Sequence, residues 1–357
     1  LIAFVFYLAM MIVIGAVYMK KTSSSEDYFL GGRDMNGLVA ALSAGASDMS
    51  AWVLMGLPGA FYATGLSNMW ISVGLFIGTA CAWIFIAPRL RRFSIAYNDS
   101  ITIPQYLTNR FQSDNKLLLI ICAVIFVVAY CIYAASSISA CGTLFNTVMG
   151  IDRNTAMIGA AVIIIVYTFL GGFNAVCWTD FFQGLLMMAA LMAVPIVIVA
   201  TKQNLDTSLL NNVYEYKDAS GEMVTCVFGT GLFDASWKDI ISGLGWGLGY
   251  FGMPHVLVRF MSIEKPSMIK KSSTVAIIWV LISLGSAVLI AYFGRMLIAD
   301  ELLPIGAQKT VFMVMARKYF PAAISGLLLA AIIAASISTA DSQLLVASSS
   351  FTSDLYK

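Results

Sequence analysis

The chain has 357 residues, 60% of them hydrophobic and 11% charged, with a net charge of +2. Soluble domains carry about 25% charged residues, so the composition excludes an ordinary soluble fold and describes a polytopic helical protein of the lipid bilayer. The small net charge and the lack of a long basic run leave no case for a nucleic-acid partner, and the six cysteines show no metal-ligand spacing.

Apolar windows of about 20 residues mark membrane spans. They predict span 1 at residues 2–19, span 2 at 37–63 and span 3 at 67–87. Span 4 follows at 117–148, span 5 at 155–171 and span 6 at 175–200. Span 7 is expected at 239–261, span 8 at 273–298 and span 9 at 321–348. Span 4 is too long for one straight crossing. The chain starts within span 1 at Leu1 and stops just after span 9, so it reads as a fragment that lacks further helices and is not expected to transport alone.

Lysines and arginines set the orientation. With the end of span 1 inside, thirteen of them are cytoplasmic, including Lys20, Lys21 and Lys357, and eight are outside, including Lys202. The dense clusters, PRLRR at 88–92 and the segment around Lys270, fall inside, so the N-terminus is expected outside, in the cell membrane. Residues 201–236 and 299–319 are long outer loops, the second able to carry a short surface helix. On the inner face, ITIPQYL (101–107) reads as a helix start.

Two spans are interrupted. In span 2, Gly45, Ser47, Asp48 and Ser50 break the apolar run, and Gly56, Pro58 and Gly59 loosen it again. One reading is a broken helix with an acid at the break, as secondary transporters use to bind ions and solutes; the other is a Gly/Ser packing seam. Span 7, entering from the opposite side, carries GLGYFGMP (247–254). Interrupted spans at matching positions of two oppositely oriented halves point to a transport site at the midplane.

Ionisable residues within spans are functional candidates: Asp48, Asp180 and Asp341. Asp180 also reads as an interfacial residue at the start of span 6. Arg259 and Arg295, near span ends, read as snorkelling anchors, and His255 as a packed, hydrogen-bonded ring. In span 9, Ser338, Thr339, Asp341 and Ser342 fall within about one helical turn. Serines in membrane helices commonly bond their own backbone. That does not explain a carboxylate among them, whereas hydroxyl, carbonyl and carboxylate oxygens together suit a hard cation. In span 7, Trp246, Tyr250 and Pro254 lie at four-residue spacing. Such a stripe is usually core packing, although glycines at 243, 245, 247, 249 and 252 would open a groove beside it.

ALSAGASDMS (41–50), GLPG (56–59), GGFNAVCWTD (171–180), PHVLVRF (254–260) and STADSQLLVASS (338–349) together resemble the sodium/solute symporter family, over nearly the whole chain. The resemblance implies an all-α polytopic membrane protein of the leucine-transporter type: a five-plus-five inverted repeat in one domain, truncated in the second repeat. Span 1 would be peripheral, 37–200 the first repeat and 237–357 the incomplete second. It implies a sodium site made by the carbonyls of Ala46, Met49 and Ala335 and the hydroxyls of Ser338 and Thr339. Asp48 matches an acid needed for sodium coupling. Asp180, with Ser338, Asp341 and Ser342, matches an additional sodium site, where proline-carrying members have serine at 341. Tyr133, Trp246, Tyr250 and Pro254 match positions tied to proline binding, with Met253 in place of an expected glutamine. Arg33 matches a cytoplasmic arginine linked to transport. The implied activity is sodium-coupled uptake of a small amino acid, proline foremost, by alternating access, with sodium as coupling ion and no cofactor or covalent chemistry. The alternatives are another small solute, or the membrane sensor module of a histidine kinase.

Overall fold

The computed structural model describes residues 2–19, 24–113, 115–201, 203–218 and 220–356, so Lys20, Lys21, Lys202 and Lys357 of the orientation argument lie outside the described residues. Helix α1 (Ile2–Met19) packs against α9, away from the broken spans. A short helix α2 (Ser25–Leu30) is closed by a capping box between Ser24 and Asp27. A left-handed run through Gly31, Gly32 and Arg33 then turns the chain toward α3 (Gly37–Met49), capped by Asn36.

Helix α3 stays helical through Gly45, Ser47 and Asp48 and stops at Ser50, which has φ +48°. After one turn of 3-10 helix, α4 (Gly56–Thr64) leaves at 69° to α3. Span 2 is therefore a broken helix, but its break lies at 50–55. Pro58 falls in the first turn of α4, where a missing N–H costs no hydrogen bond.

Helix α5 (Met69–Cys81) runs through a π-helical stretch at 82–86 into α6 (Ala87–Ala96). Pro88 cannot donate to the carbonyl one turn earlier, and the widened stretch absorbs that loss. The expected helix start at 101–107 is α7 (Ile103–Arg110), capped by the Thr102 hydroxyl on Gln105 N at 3.2 Å. Helix α8 (Leu117–Met149) has 33 residues.

Spans 5 and 6 form one run, α9 (Arg153–Ala200), broken at Gly172 with φ +57°. Its 48 residues would be about 70 Å of straight helix, more than twice a bilayer core. The run folds sharply instead: a Cβ on Gly171 would lie 2.2 Å from that of Ala175. Span 7 splits into α10 (Trp237–Gly245), a 3-10 stretch at 246–251 and α11 (Pro254–Ser262). Helix α12 (Ile269–Leu302) covers span 8, and α14 (Ala322–Ser349), extended by a π turn, covers span 9. Among the described residues, five helical stretches are long and apolar enough to cross a membrane, and the α3–α4 pair makes a sixth.

The expected helix in 299–319 is α13 (Val311–Tyr319), whose apolar side is buried. The loop 201–236 holds an unforeseen antiparallel hairpin, β1 (Tyr214–Lys217) with β2 (Met223–Cys226). It covers Arg295, which is no snorkelling anchor. The guanidinium is fully buried, donates to Asn212 O at 2.7 Å and lies over the Tyr214 ring, 4.7 Å from its centroid. Helices α3 and α14 form the centre of the molecule. Both are lined by small residues, which let neighbouring helices approach closely. At Gly45, a Cβ would lie 2.7 Å from the Trp279 ring.

Candidate cation and substrate sites

The last four carbonyls of a helix have no intrahelical partner, and in α3 these belong to Ala46, Ser47, Asp48 and Met49. Helix α14 brings a hydroxyl to the first of them. Ser338 Oγ donates to Ala46 O at 2.9 Å and to Ala335 O at 3.1 Å, and Thr339 Oγ1 lies 3.0 Å from Ala335 O. Four of the five residues predicted for the sodium site thus form one chain of contacts at the last turn of α3, with the Ser338–Ala46 bond crossing between the helices and the two bonds to Ala335 O internal to α14. Met49, the fifth, ends α3 one turn further on and lines the neighbouring cavity. All are buried. The donor set is neutral oxygen, the chemistry that replaces the water shell of a hard monovalent ion.

Asp180 is fully buried and not interfacial. Its Oδ2 accepts from Ser43 Oγ and from Arg259 Nη2, each at 2.7 Å. Arg259 is the second corrected anchor: it is 1% exposed and points inward. It also donates to Ser43 Oγ at 2.7 Å, His255 O at 2.5 Å and Ser342 Oγ at 2.6 Å. Ser342 passes the chain to Asp341 Oδ1 at 3.1 Å, and the Tyr167 hydroxyl bonds the other Asp341 oxygen. One guanidinium thus stands between two buried carboxylates. Asp180 Oδ1 has no hydrogen-bond partner among the described residues, so one acceptor there is open to a further cation. Asp180, Asp341 and Ser342 share this network, whereas the hydrogen bonds of Ser338 lead to the first site.

Beside the break lies a cavity of about 620 Å³, within the range of small-molecule sites. Asp48, Tyr133, Trp246 and Tyr250 line it, and the Tyr250 hydroxyl bonds Asp48 Oδ2. Trp246 stacks on Trp52 with centroids 5.8 Å apart and planes 14° apart. Trp246 is 52% exposed, so the core-packing reading fails for it. The α-helical stripe fails too, because residues 246–251 wind as a 3-10 helix. Pro254 is buried as the first residue of α11 and does not line the cavity, while Met253 does. Two of the five span 7 glycines serve packing, while a Cβ on Gly245, Gly249 or Gly252 would meet nothing closer than 3.5 Å. Gly243 and Gly247 face α5, and a Cβ on Gly78 would lie 2.2 Å from Gly247 O. His255 is the packed ring expected, sharing a 2.9 Å hydrogen bond with the Tyr130 hydroxyl; its Nε2 lies 4.0 Å from Asp48 Oδ1.

The opposite end of the molecule is closed. Arg33 donates to Ser100 O at 2.8 Å and Met261 O at 3.2 Å and pairs with Asp99 at 2.9 Å. Burial lowers the Arg33 pKa, and the Asp99 and Glu26 carboxylates oppose that shift. Arg91 clamps the carbonyls of Ile263 and Glu264. Met35 pairs its backbone with Ser262 and Glu264, at 3.0 Å each. The end of α11 is therefore stitched to the segment that precedes α3.

The sequence profile of the Sodium:solute symporter family matches residues 28–357. The chain belongs to that family. It is 42% identical over 348 residues to the high-affinity proline transporter PutP of Bacillus subtilis (strain 168), covering 97% of this chain and 72% of that protein. The sodium/proline symporter of Staphylococcus aureus (strain JH9) is 42% identical over 353 residues, covering 98% of this chain and 67% of that protein. Among solved structures, the substrate-bound outward-open state of a Na+-coupled sialic acid symporter superposes with a TM-score of 0.74. It shares 21% identity and covers 99% of this chain and 74% of that one, which establishes a common fold.

As a member of a symporter family, the chain is a membrane transporter and not an enzyme, and sodium is the family's coupling ion rather than a resident cofactor. Three features of the sites escaped sequence reasoning. Trp52 carried a usable signal, since it lies in the break itself. Arg259 carried one in hindsight, because the buried acid at 180 needs a partner. Lys309, which also lines the cavity, had no local signal.

Proposed function

We propose that the full-length protein performs sodium-coupled uptake of proline by alternating access, as the names of its relatives suggest. The observation that carries this reading is the Ser338 hydroxyl of α14 reaching Ala46 O in the last turn of α3, next to Ala335 O and Thr339 Oγ1 and beside an aromatic cavity. A sodium ion there would be held by both α3 and α14. It would fix the end of α3 and so the placement of Ser50 and Trp52 in the cavity wall. Sodium favours the substrate-ready arrangement only by binding it better than the alternatives. Substrate would stack its ring on the tryptophans, with Tyr133 and Tyr250 alongside and Asp48 as the acidic pole.

Asp180, Asp341 and Ser342 form a second cation position in this reading. Two buried carboxylates against one guanidinium leave a formal negative charge, which a low-dielectric interior tolerates poorly. Helices α3 to α9 make the first of two inverted repeats, and α10 to α14 belong to the second. With the N-terminus outside, the cavity opens outward and Arg33 and Arg91 close the cytoplasmic side.

The test is radiolabelled proline uptake by the full-length protein in proteoliposomes, with and without a sodium gradient, in competition with other amino acids, sugars and carboxylates. Sodium-dependent uptake is expected, with proline the strongest competitor. Uptake that ignores sodium, or competition led by another solute, would contradict the proposal.

A further inference from the structure

Two charged side chains line the cavity, of opposite sign: Asp48 and Lys309. Lys309 has no ion-pair partner within 4.0 Å among the described residues, although the neighbouring Lys318 pairs with Glu301. Its ammonium is therefore not committed to a carboxylate among the described residues.

The position of Lys309 is built. At Gly59 of α4 a Cβ would lie 3.0 Å from both Gln308 O and Lys309 Cα, so the missing side chain is what lets this turn rest on the outer half of the broken span. The Gln308 amide donates to the Tyr216 hydroxyl at 2.7 Å. Gly306, at φ +66°, lies against the same ring, where a Cβ would be 2.5 Å from Cδ2. Past the turn, Val311 and Phe312 are fully buried and begin α13. The hairpin, α4 and α13 thus hold the backbone of Lys309 at the cavity from three sides.

We propose that Lys309 recognises the substrate carboxylate, so that the cavity selects zwitterions which present a carboxylate to Lys309 and an ammonium to Asp48. The inference rests on the amino-acid-uptake reading above and adds the group that excludes uncharged solutes. An acid and a base lining one cavity match a net-neutral zwitterion better than a sugar or a simple carboxylate. A lysine suits this task as a mobile point charge, able to follow the carboxylate as the outer side closes. Its charge also favours capture of the carboxylate within roughly a Debye length, about 8 Å at physiological salt.

The test compares wild type with Lys309→Gln, Lys309→Glu and Lys309→Arg in proteoliposomes, with Lys318→Gln, on the following helix α13, as control. Loss of one charge-assisted contact should raise the KM for proline about tenfold in Lys309→Gln with Vmax retained, and further in Lys309→Glu. Lys309→Arg should recover most of the affinity, and the control should match wild type. Prolinamide, which lacks the carboxylate, should compete poorly against wild type and lose that handicap in Lys309→Gln. Unchanged KM and unchanged rejection of prolinamide in Lys309→Gln would overturn the proposal. Quenching of tryptophan fluorescence by a panel of zwitterions, amines and sugars separates the two readings. If wild type takes up no proline but binds another zwitterion in a Lys309-dependent way, the assignment of Lys309 stands and proline falls. If the panel's best ligand lacks a carboxylate, the assignment falls.

Discussion

Arg259 shows how a single side chain can be misjudged from its place in a span. It sits near the end of an apolar stretch, where long cationic side chains usually reach for the interface. Its partner Asp180 is 79 residues away, and no local pattern links them. The pair is nonetheless forced by energetics, because a buried carboxylate without a cation is costly. Arg259→Gln should therefore destabilise the protein by about 3–5 kcal/mol, read as a lower unfolding temperature in detergent. Adding Asp180→Asn should recover part of that loss, since it removes the stranded charge. A double variant that merely sums the two single losses would show that the pair does not act as a unit.

At the scale of elements, the sequence carried the important breaks. Ser50, Gly56 and Pro58 announced the interruption of span 2, and the glycines of 243–252 that of span 7. What it could not carry was where helical geometry yields. Glycine and serine tolerate a helix when neighbours pack on them, so α3 runs to Met49, and the 3-10 winding of 246–251 replaces an α-helical stripe. The hairpin at 214–226 had only two short alternating strands to announce it, and its role in burying Arg295 depends on a contact across the fold. Close backbone contact explains why α5 and the 246–251 stretch share glycines. Gly78→Ala would place a methyl against Gly247 O and should cost about 1–3 kcal/mol, as overpacking does. Gly245→Ala meets nothing within 4 Å and should leave stability close to wild type. Equal melting temperatures for the two variants would refute this account of the α5 seam.

At the scale of the whole molecule, the cavity is open at one end while the other is stitched shut by Arg33, Arg91 and the Met35 backbone. Alternating access requires these contacts to break when the cavity closes. Weakening them with Arg91→Gln should shift the population away from the open-cavity state. A cysteine at Ser136, which lines the cavity, would report this in a background without native cysteines. Its labelling by an impermeant thiol reagent from the open side should slow several-fold. Unchanged labelling would mean that Arg91 does not contribute to the closure. The family resemblance named the residues of the cation site, and its placement between α3 and α14 rests on the Ser338 hydroxyl reaching Ala46 O at 2.9 Å.

Direct sodium binding tests that placement. In a radiosodium scintillation assay on purified protein, the Ser338→Ala, Thr339→Ala double variant should lose at least about tenfold in sodium affinity, a difference of about 1.4 kcal/mol. Ser336→Ala, whose hydroxyl bonds Ile332 O of its own helix at 3.0 Å, should bind sodium as wild type does. Wild-type sodium affinity in the double variant would contradict a cation held between α3 and α14.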